Sequence, residues 1–270
     1  MKRKFLLLTL LLAAFTLQAQ TVFQHPWQNK RVAYFGDSVT DPNVNTGPNN
    51  NHYWSYLQEW LGITPFVYAV NGRQWDDIPR QTDQLKKEHG NDFDAILIFI
   101  GTNDFNAGLP IGKWYEETTE KVVAATGAPK KEETRKKRVP KMDNSTFCGR
   151  INIALKKIKA EFPDKQTVLL TPIHRGYAYF GDNNVQPDES YQNQAGLYLE
   201  SYINAVKEAG KVWAVPVIDT ATLSGLLPQY TEQSAFFKNK QTDQLHPNEQ
   251  GHKRIARALV YQLLTLPCEL

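Results

Sequence analysis

Cysteine is nearly absent: Cys148 and Cys268 are the only two in 270 residues. One bridge is the most they can form, and nothing in the sequence brings them together in space. Beyond residue 17 no apolar run approaches the roughly 20 residues a membrane helix needs, so no integral membrane segment is expected. No Gly-x-Ser-x-Gly occurs, which excludes the nucleophile elbow of the α/β-hydrolases. His25, His52, His89 and His252 stand at no ligand spacing, and His246 with His252 is not the four-residue pair that binds zinc on a helix, so no metal is expected. Repeats and low-complexity linkers are also missing.

Excess positive charge is lacking once the N-terminus is set aside. Residues 1–19 carry Lys2, Arg3 and Lys4, then an apolar core over 5–17, then Leu17-Gln18-Ala19 before Gln20, the pattern of a signal peptide. No cysteine follows that core to take a lipid anchor. Removing the segment lowers 31 basic side chains to 28, equal to the 28 acidic ones. A neutral chain gives no reason to expect nucleic acid or an anionic membrane as partner. The remaining residues, 20–270, fit a single large α/β domain.

Apolar runs of strand length recur at 31–35, 64–70, 95–100, 167–171 and 212–218. Helix-like segments fall at 52–61, 78–89, 113–126, 147–162, 191–209 and 249–266. This alternation predicts a five-stranded parallel sheet with helices on its faces. Pro216 cannot donate to a ladder, which puts the last strand at an edge. Residues 130–141 crowd Lys131, Arg135, Lys136, Lys137, Arg138 and Lys141 together, diluted by Glu132 and Glu133, and read as a solvated run. The irregular stretch 173–190 follows the fourth strand and reads as a substrate loop.

Four short blocks carry chemistry. Gly36-Asp37-Ser38 directly follows the first strand, so Ser38 falls where a helix should begin, at the open carboxyl end of the sheet. A serine hydroxyl needs a base within hydrogen-bond reach and a third group to hold that base. Asp243 and His246, three apart in an expected loop before the last helix, supply both, and Pro247 favours an extended backbone at His246. Fixed donors must also meet the negative oxygen of acyl transfer. The Ser38 N–H, the Gly72 N–H and the Asn103 side-chain amide follow three consecutive strands, and a parallel sheet gathers them at one rim. His174 and Arg175, just beyond the fourth strand, are expected to face the same rim as substrate contacts, with Asp37 and Trp75.

Gly36-Asp37-Ser38 with Asp41, Asn71-Gly72, Gly101-Thr102-Asn103-Asp104 and Asp243-Gln244-Leu245-His246 together resemble the four blocks of the SGNH hydrolases, the GDSL esterase and lipase superfamily. The resemblance spans nearly the whole mature chain. It implies a flavodoxin-like three-layer α/β/α fold, Ser38 as nucleophile, His246 as base, Asp243 as its orienter, an oxyanion hole from Ser38, Gly72 and Asn103, and no cofactor. Val39 stands where the family more often has Leu, and the stretch 113–150 after the third block is long.

Other readings remain open at this stage. Gly36-Asp37 and Asn103-Asp104 faintly echo a metal-dependent phosphoesterase, whose Asp-x-His ligand pair is missing. A non-catalytic carbohydrate-binding module could use exposed aromatics among Trp27, Trp54, Trp75, Trp114, Tyr177 and Tyr179. The loops expected to ring Ser38, at 41–51, 73–79 and 177–190, are rich in Asn, Gln and Asp, which suits a carbohydrate ester better than an acyl chain. A lysophospholipase or thioesterase shares the same core chemistry. The exported chain is expected to begin near Gln20, and intact-mass measurement on secreted protein should show residues 1–19 removed.

Overall fold

The computed structural model describes residues 25–125 and 127–268; the expected signal segment lies outside the described residues. In chain order the elements are β1 (Arg31–Gly36), α1 (Tyr53–Leu61), β2 (Thr64–Val67), α2 (Ile78–His89), β3 (Ala95–Phe99), α3 (Thr102–Asn106), β4 (Tyr115–Ala124), β5 (Lys131–Pro140) and α4 (Phe147–Glu161). There follow β6 (Gln166–Leu170), β7 (Ala178–Tyr179), β8 (Val185–Gln186), α5 (Leu199–Trp213), β9 (Val217–Ile218), α6 (Thr220–Leu223), β10 (Phe237–Asn239), β11 (Asp243–Pro247) and α7 (Glu249–Leu263).

Five strands form an all-parallel sheet in the order β2-β1-β3-β6-β9. Numbered within the sheet this is 2-1-3-4-5, the flavodoxin-like order, whose switch point lies between β1 and β3. The strands are short apolar runs because both faces are covered. Alternation still sorts them: Ala33, Phe35, Ile96 and Ile98 face one core with α2, α4 and α5, while Val32, Tyr34, Leu97 and Phe99 face the other with α1 and α7. Cys148 belongs to the first core and Cys268 to the second, so the sheet stands between them and they form no disulfide with each other. The fifth strand is at the edge, as Pro216 requires. It is shorter than the expected 212–218, because α5 runs on to Trp213.

Within the segment 113–126, expected as a helix, Tyr115–Ala124 is instead one strand of a β-hairpin. β4 and β5 pair antiparallel from Tyr115↔Pro140 to Ala124↔Lys131. Thr118, Thr119, Val122 and Val123 are stiff at χ1 and favour a strand, and the basic run supplies the partner. Lys136 pairs with Glu117 at 3.1 Å, Lys137 with Glu120 at 2.8 Å and Lys121 with Glu132 at 3.3 Å. Both strands are exposed along most of their length, so these pairs contribute little each. Lys141 N–H donates to the Trp114 carbonyl at 2.9 Å and closes the base of the arm. A second, four-stranded sheet, β10-β11-β7-β8, was not foreseen. It organises what reads in sequence as the loops 173–190 and 237–247.

Replacing residues 116–139 by a short Gly-Ser turn should shift Tm by no more than about 5 °C, since the arm buries little apolar surface. Differential scanning calorimetry checks this; loss of the cooperative transition would show that the arm is part of the core.

Candidate active site

β1 ends in a turn built for close approach. A Cβ on Gly36 would stand 2.6 Å from the Phe99 carbonyl oxygen and 2.7 Å from Thr40 Oγ1, so only glycine lets β1 leave the sheet here. The buried Gln81 of α2 grips this glycine twice, accepting from its N–H and donating to its carbonyl, both at 2.9 Å. Thr40 and Asp41 N–H groups donate to the Asp37 carbonyl at 3.0 and 2.9 Å, and Val39 N–H to the Asp37 carboxyl at 3.1 Å. Ser38 therefore sits in a turn, and the next helix, α1, starts only at Tyr53. The helix expected to start at Ser38 stops at this single turn, because Pro42 disfavours the helical conformation at Asp41.

Two carboxylates tie the neighbouring loops to this turn. Asp41 accepts from the Asn71 N–H at 2.8 Å with one oxygen and from the Asn43 N–H with the other. That fixes the loop after β2, where Gly72 has φ 77°, a left-handed conformation that leaves open space on its Cβ side. Asp104, at the start of α3, accepts from the Trp75 N–H at 3.1 Å and from Arg150 Nη1 at 3.1 Å. Between them the Asn103 amide donates one hydrogen to the Arg73 carbonyl at 3.0 Å. Its second amide hydrogen remains for a ligand.

His246 lies on β11, a strand and not the expected loop. Asp243 Oδ1 accepts from the His246 N–H at 3.0 Å, and both its carboxylate oxygens lie 3.0 Å from His246 Nδ1. A carboxylate accepts only, so Nδ1 carries the hydrogen and Nε2 keeps its lone pair. Burial alone would raise the Asp243 carboxyl, but its hydrogen bonds to His246 and its attraction to that ring in the protonated form outweigh it and hold the group below its ordinary value. Asn248 caps α7 by accepting from Gln250 and Gly251 N–H, which stops the helix short of His246.

Ser38, Gly72, Asn103 and His246 line one cavity of about 420 Å³. Asn71, Gln74, Asn106, Asn184, Gln186 and Phe180 share its walls. Expected loops 73–79 and 177–190 are represented there; loop 41–51 is not. It packs on the start of α7, where Asn49 and Asn51 N–H groups donate to the Glu249 carboxylate. Asn106 was not picked out in the sequence, although it lies three residues beyond Asn103 on the same helix face. Among the described residues, no group of three or more His, Cys, Asp and Glu side chains could hold a metal ion.

The four expected substrate contacts do not line this cavity. Trp75 is fully buried in the core beside Phe147, and Trp27 and Trp114 are buried too. His174 turns to a separate cavity and pairs with Glu189, which raises its pKa. Asp37 and Arg175 are both buried beneath the Ser38 turn and share a small internal cavity with Thr102 and Leu245. Arg175 donates to Thr102 Oγ1 at 3.3 Å and to Gln186 Oε1 at 2.7 Å, and lies over the Phe105 ring at 5.7 Å. It thereby joins α3, which carries Asn103, to a cavity wall. Burial pushes the Asp37 carboxyl up to about 7, against the pull of backbone amides and of the Arg175 charge. Burial pulls Arg175 down to about 10.

A family profile described as GDSL-like Lipase/Acylhydrolase matches residues 34–254. No curated protein sequence matches. Among solved structures, the fold is similar to that of a protein from Lactobacillus plantarum, 23% identical over 87% of this chain and 97% of that one, with TM-score 0.66. It is also similar to a possible lipase from Chitinophaga pinensis, 24% identical over 88% and 99% of the two chains, with TM-score 0.61. The acetylxylan esterase Axe2 from Geobacillus stearothermophilus is 15% identical over 91% and 98%, with TM-score 0.50.

The Asp37 shift has a defined consequence for stability. The unfolded chain releases this proton near pH 4 and the folded chain near 7, so between those values the folded state holds more protons and stability falls as pH rises. Asp37→Asn keeps the acceptor for Val39 N–H without the charge. Its stability relative to the parent should therefore improve by on the order of a few kcal/mol from pH 4 to pH 8, read from urea unfolding at each pH; an unchanged difference would mean Asp37 titrates normally.

Proposed function

The chain belongs to the GDSL-like lipase/acylhydrolase family, an ester-hydrolysing serine hydrolase, and on that premise we propose that Ser38 is its nucleophile and His246 its base. Ser38 Oγ attacks the ester carbonyl while His246 Nε2 takes its proton. Asp243 keeps the imidazole in the tautomer that can accept and stabilises the imidazolium that forms. The Ser38 and Gly72 N–H groups and the Asn103 amide receive the negative charge on the carbonyl oxygen. His246 then returns the proton to the departing alcohol, and water releases the acyl group by the same route in reverse. The single observation that carries this reading is the convergence of Ser38, Gly72, Asn103 and His246 on one cavity with Asp243 behind the ring.

The chain releases short acyl groups, acetyl above all, from a carbohydrate. Six of the twelve cavity-lining residues are Asn or Gln: Asn71, Gln74, Asn103, Asn106, Asn184 and Gln186. Such a wall offers paired donors and acceptors to hydroxyl groups. A long acyl chain would find only Ala107, Phe180 and Leu245 to lie against. The expected leader segment supports action outside the cytoplasm as part of the same proposal.

Ser38→Ala should lower kcat on p-nitrophenyl acetate by at least about 10³-fold with Tm retained, and Asn103→Ala by about 10²-fold. kcat/KM on acetylated xylo-oligosaccharides should exceed that on esters of eight carbons and longer. A preference for the long esters would overturn the carbohydrate reading and leave the serine chemistry standing.

A further inference from the structure

The cavity at Ser38 continues past its own rim. A second cavity of about 330 Å³ shares Asn106 and Asn184 with it, so these two asparagines form a common wall rather than a boundary. Beyond them the lining includes Asn183, Tyr191, Gln192 and Gln194. The side chains of Asn106, Asn183, Gln192 and Gln194 make no hydrogen bond within the described chain, so their amides are free to serve a ligand. Tyr191 is 62% exposed and gives a flat amphipathic surface beside these amides.

Asn193 makes the floor of this second cavity rigid. Its Oδ1 accepts from the Ala195 and Leu197 N–H groups at 3.0 and 3.1 Å, and its Nδ2 donates to the Phe105 carbonyl and Tyr202 hydroxyl at 2.9 and 2.8 Å. One amide thus pins the loop before α5 to both α3 and α5, and α3 carries Asn103. A groove held this way costs little ordering when a ligand enters.

The lining also selects the ligand by charge. It holds no Lys or Arg, and its one carboxylate is that of Asp188. A phosphate or carboxylate group would meet no counter-charge there, whereas a neutral polyol meets amides and one aromatic face.

We propose that the groove formed by Asn106, Asn183, Asn184, Tyr191 and Gln192 is a subsite for a neutral pyranose unit adjoining the one that bears the ester, so that the preferred substrate is an esterified oligosaccharide. This rests on the carbohydrate reading of the Ser38 cavity. The occupant of the second cavity is the acceptor's next sugar, not the acyl group.

The test compares kcat/KM on acetylated xylose, xylobiose and xylotetraose with p-nitrophenyl acetate, for the parent chain and for Tyr191→Ala and Gln192→Ala. In the parent, kcat/KM should rise about tenfold from acetylated xylose to xylotetraose. Tyr191→Ala should remove most of that rise, largely through KM, while hydrolysis of p-nitrophenyl acetate stays within about twofold; Gln192→Ala should act in the same direction and more weakly. Acetylated sugars hydrolysed with no dependence on length, or a Tyr191→Ala loss equal on every substrate, would overturn the subsite and leave the carbohydrate reading intact. Turnover of p-nitrophenyl acetate with none of any acetylated sugar would overturn both.

Discussion

Parallel alignment of β1, β2 and β3 is the constraint on which the rest of this molecule depends. Because the three strands run the same way, the chain leaves each of them at the same edge, and residues 38, 72 and 103 meet without any long excursion. The alignment alone would bring backbone within several ångströms, which is too loose for hydrogen bonds to a transient oxyanion. Side chains close the gap. Asp41 reaches from the first loop to the second, and Asn103 and Asp104 reach back from the third to the second. The loop after β2 is therefore clamped from both sides by groups belonging to the same motifs that supply the donors.

This explains why the motifs are longer than the reacting groups they contain. Asp41 and Asp104 take no part in the proposed proton transfer, yet each holds a backbone N–H whose position sets an adjacent donor. Gln81 does the same for Gly36 from the first turn of α2. These supporting bonds are side chain to backbone, so each ties one residue's identity to another segment's path. A change at Asp41 would be felt at Gly72 and a change at Asp104 at the segment 73–75, without either touching a substrate.

Much of this was legible in the sequence, and what was not has physical causes. The strand runs, their order at the site and the catalytic blocks are local signals: apolar stretches of five residues followed by Gly-Asp, Asn-Gly and Gly-Thr-Asn. Membership of β4 and β5 in an arm was not local. Residues 113–126 have enough Glu, Lys and Ala to look helical, and only the partner strand Lys131–Pro140 decides for a hairpin. Arg175 was misread for a related reason. Charged residues are expected at a surface or in a site, and burial of a guanidinium follows from its acceptors on Thr102 and Gln186, two segments that become neighbours only in the folded chain. His174 and Arg175 are adjacent, yet one turns to Glu189 and a separate cavity while the other turns inward.

Burying Asp37 and Arg175 at the Ser38 turn is costly for folding, and the pattern of their contacts shows what that cost maintains. Neither is held by an ion pair with the other; Asp37 is held by backbone N–H groups, and Arg175 by a hydroxyl and an amide. Groups anchored this way resist displacement, because moving either one would strand a buried charge or polar atom without a partner. The same rigidity reaches outward. Gln186, which accepts from Arg175, is part of the cavity wall and is bonded through its own Nε2 to Asn184. A chain of hydrogen bonds thus runs from Arg175 through Gln186 to the asparagine shared by both cavities, and the Asp37 carboxyl lines the same small cavity as Arg175. The buried side chains beside Ser38 and the amides that line the cavity are thereby linked through Gln186.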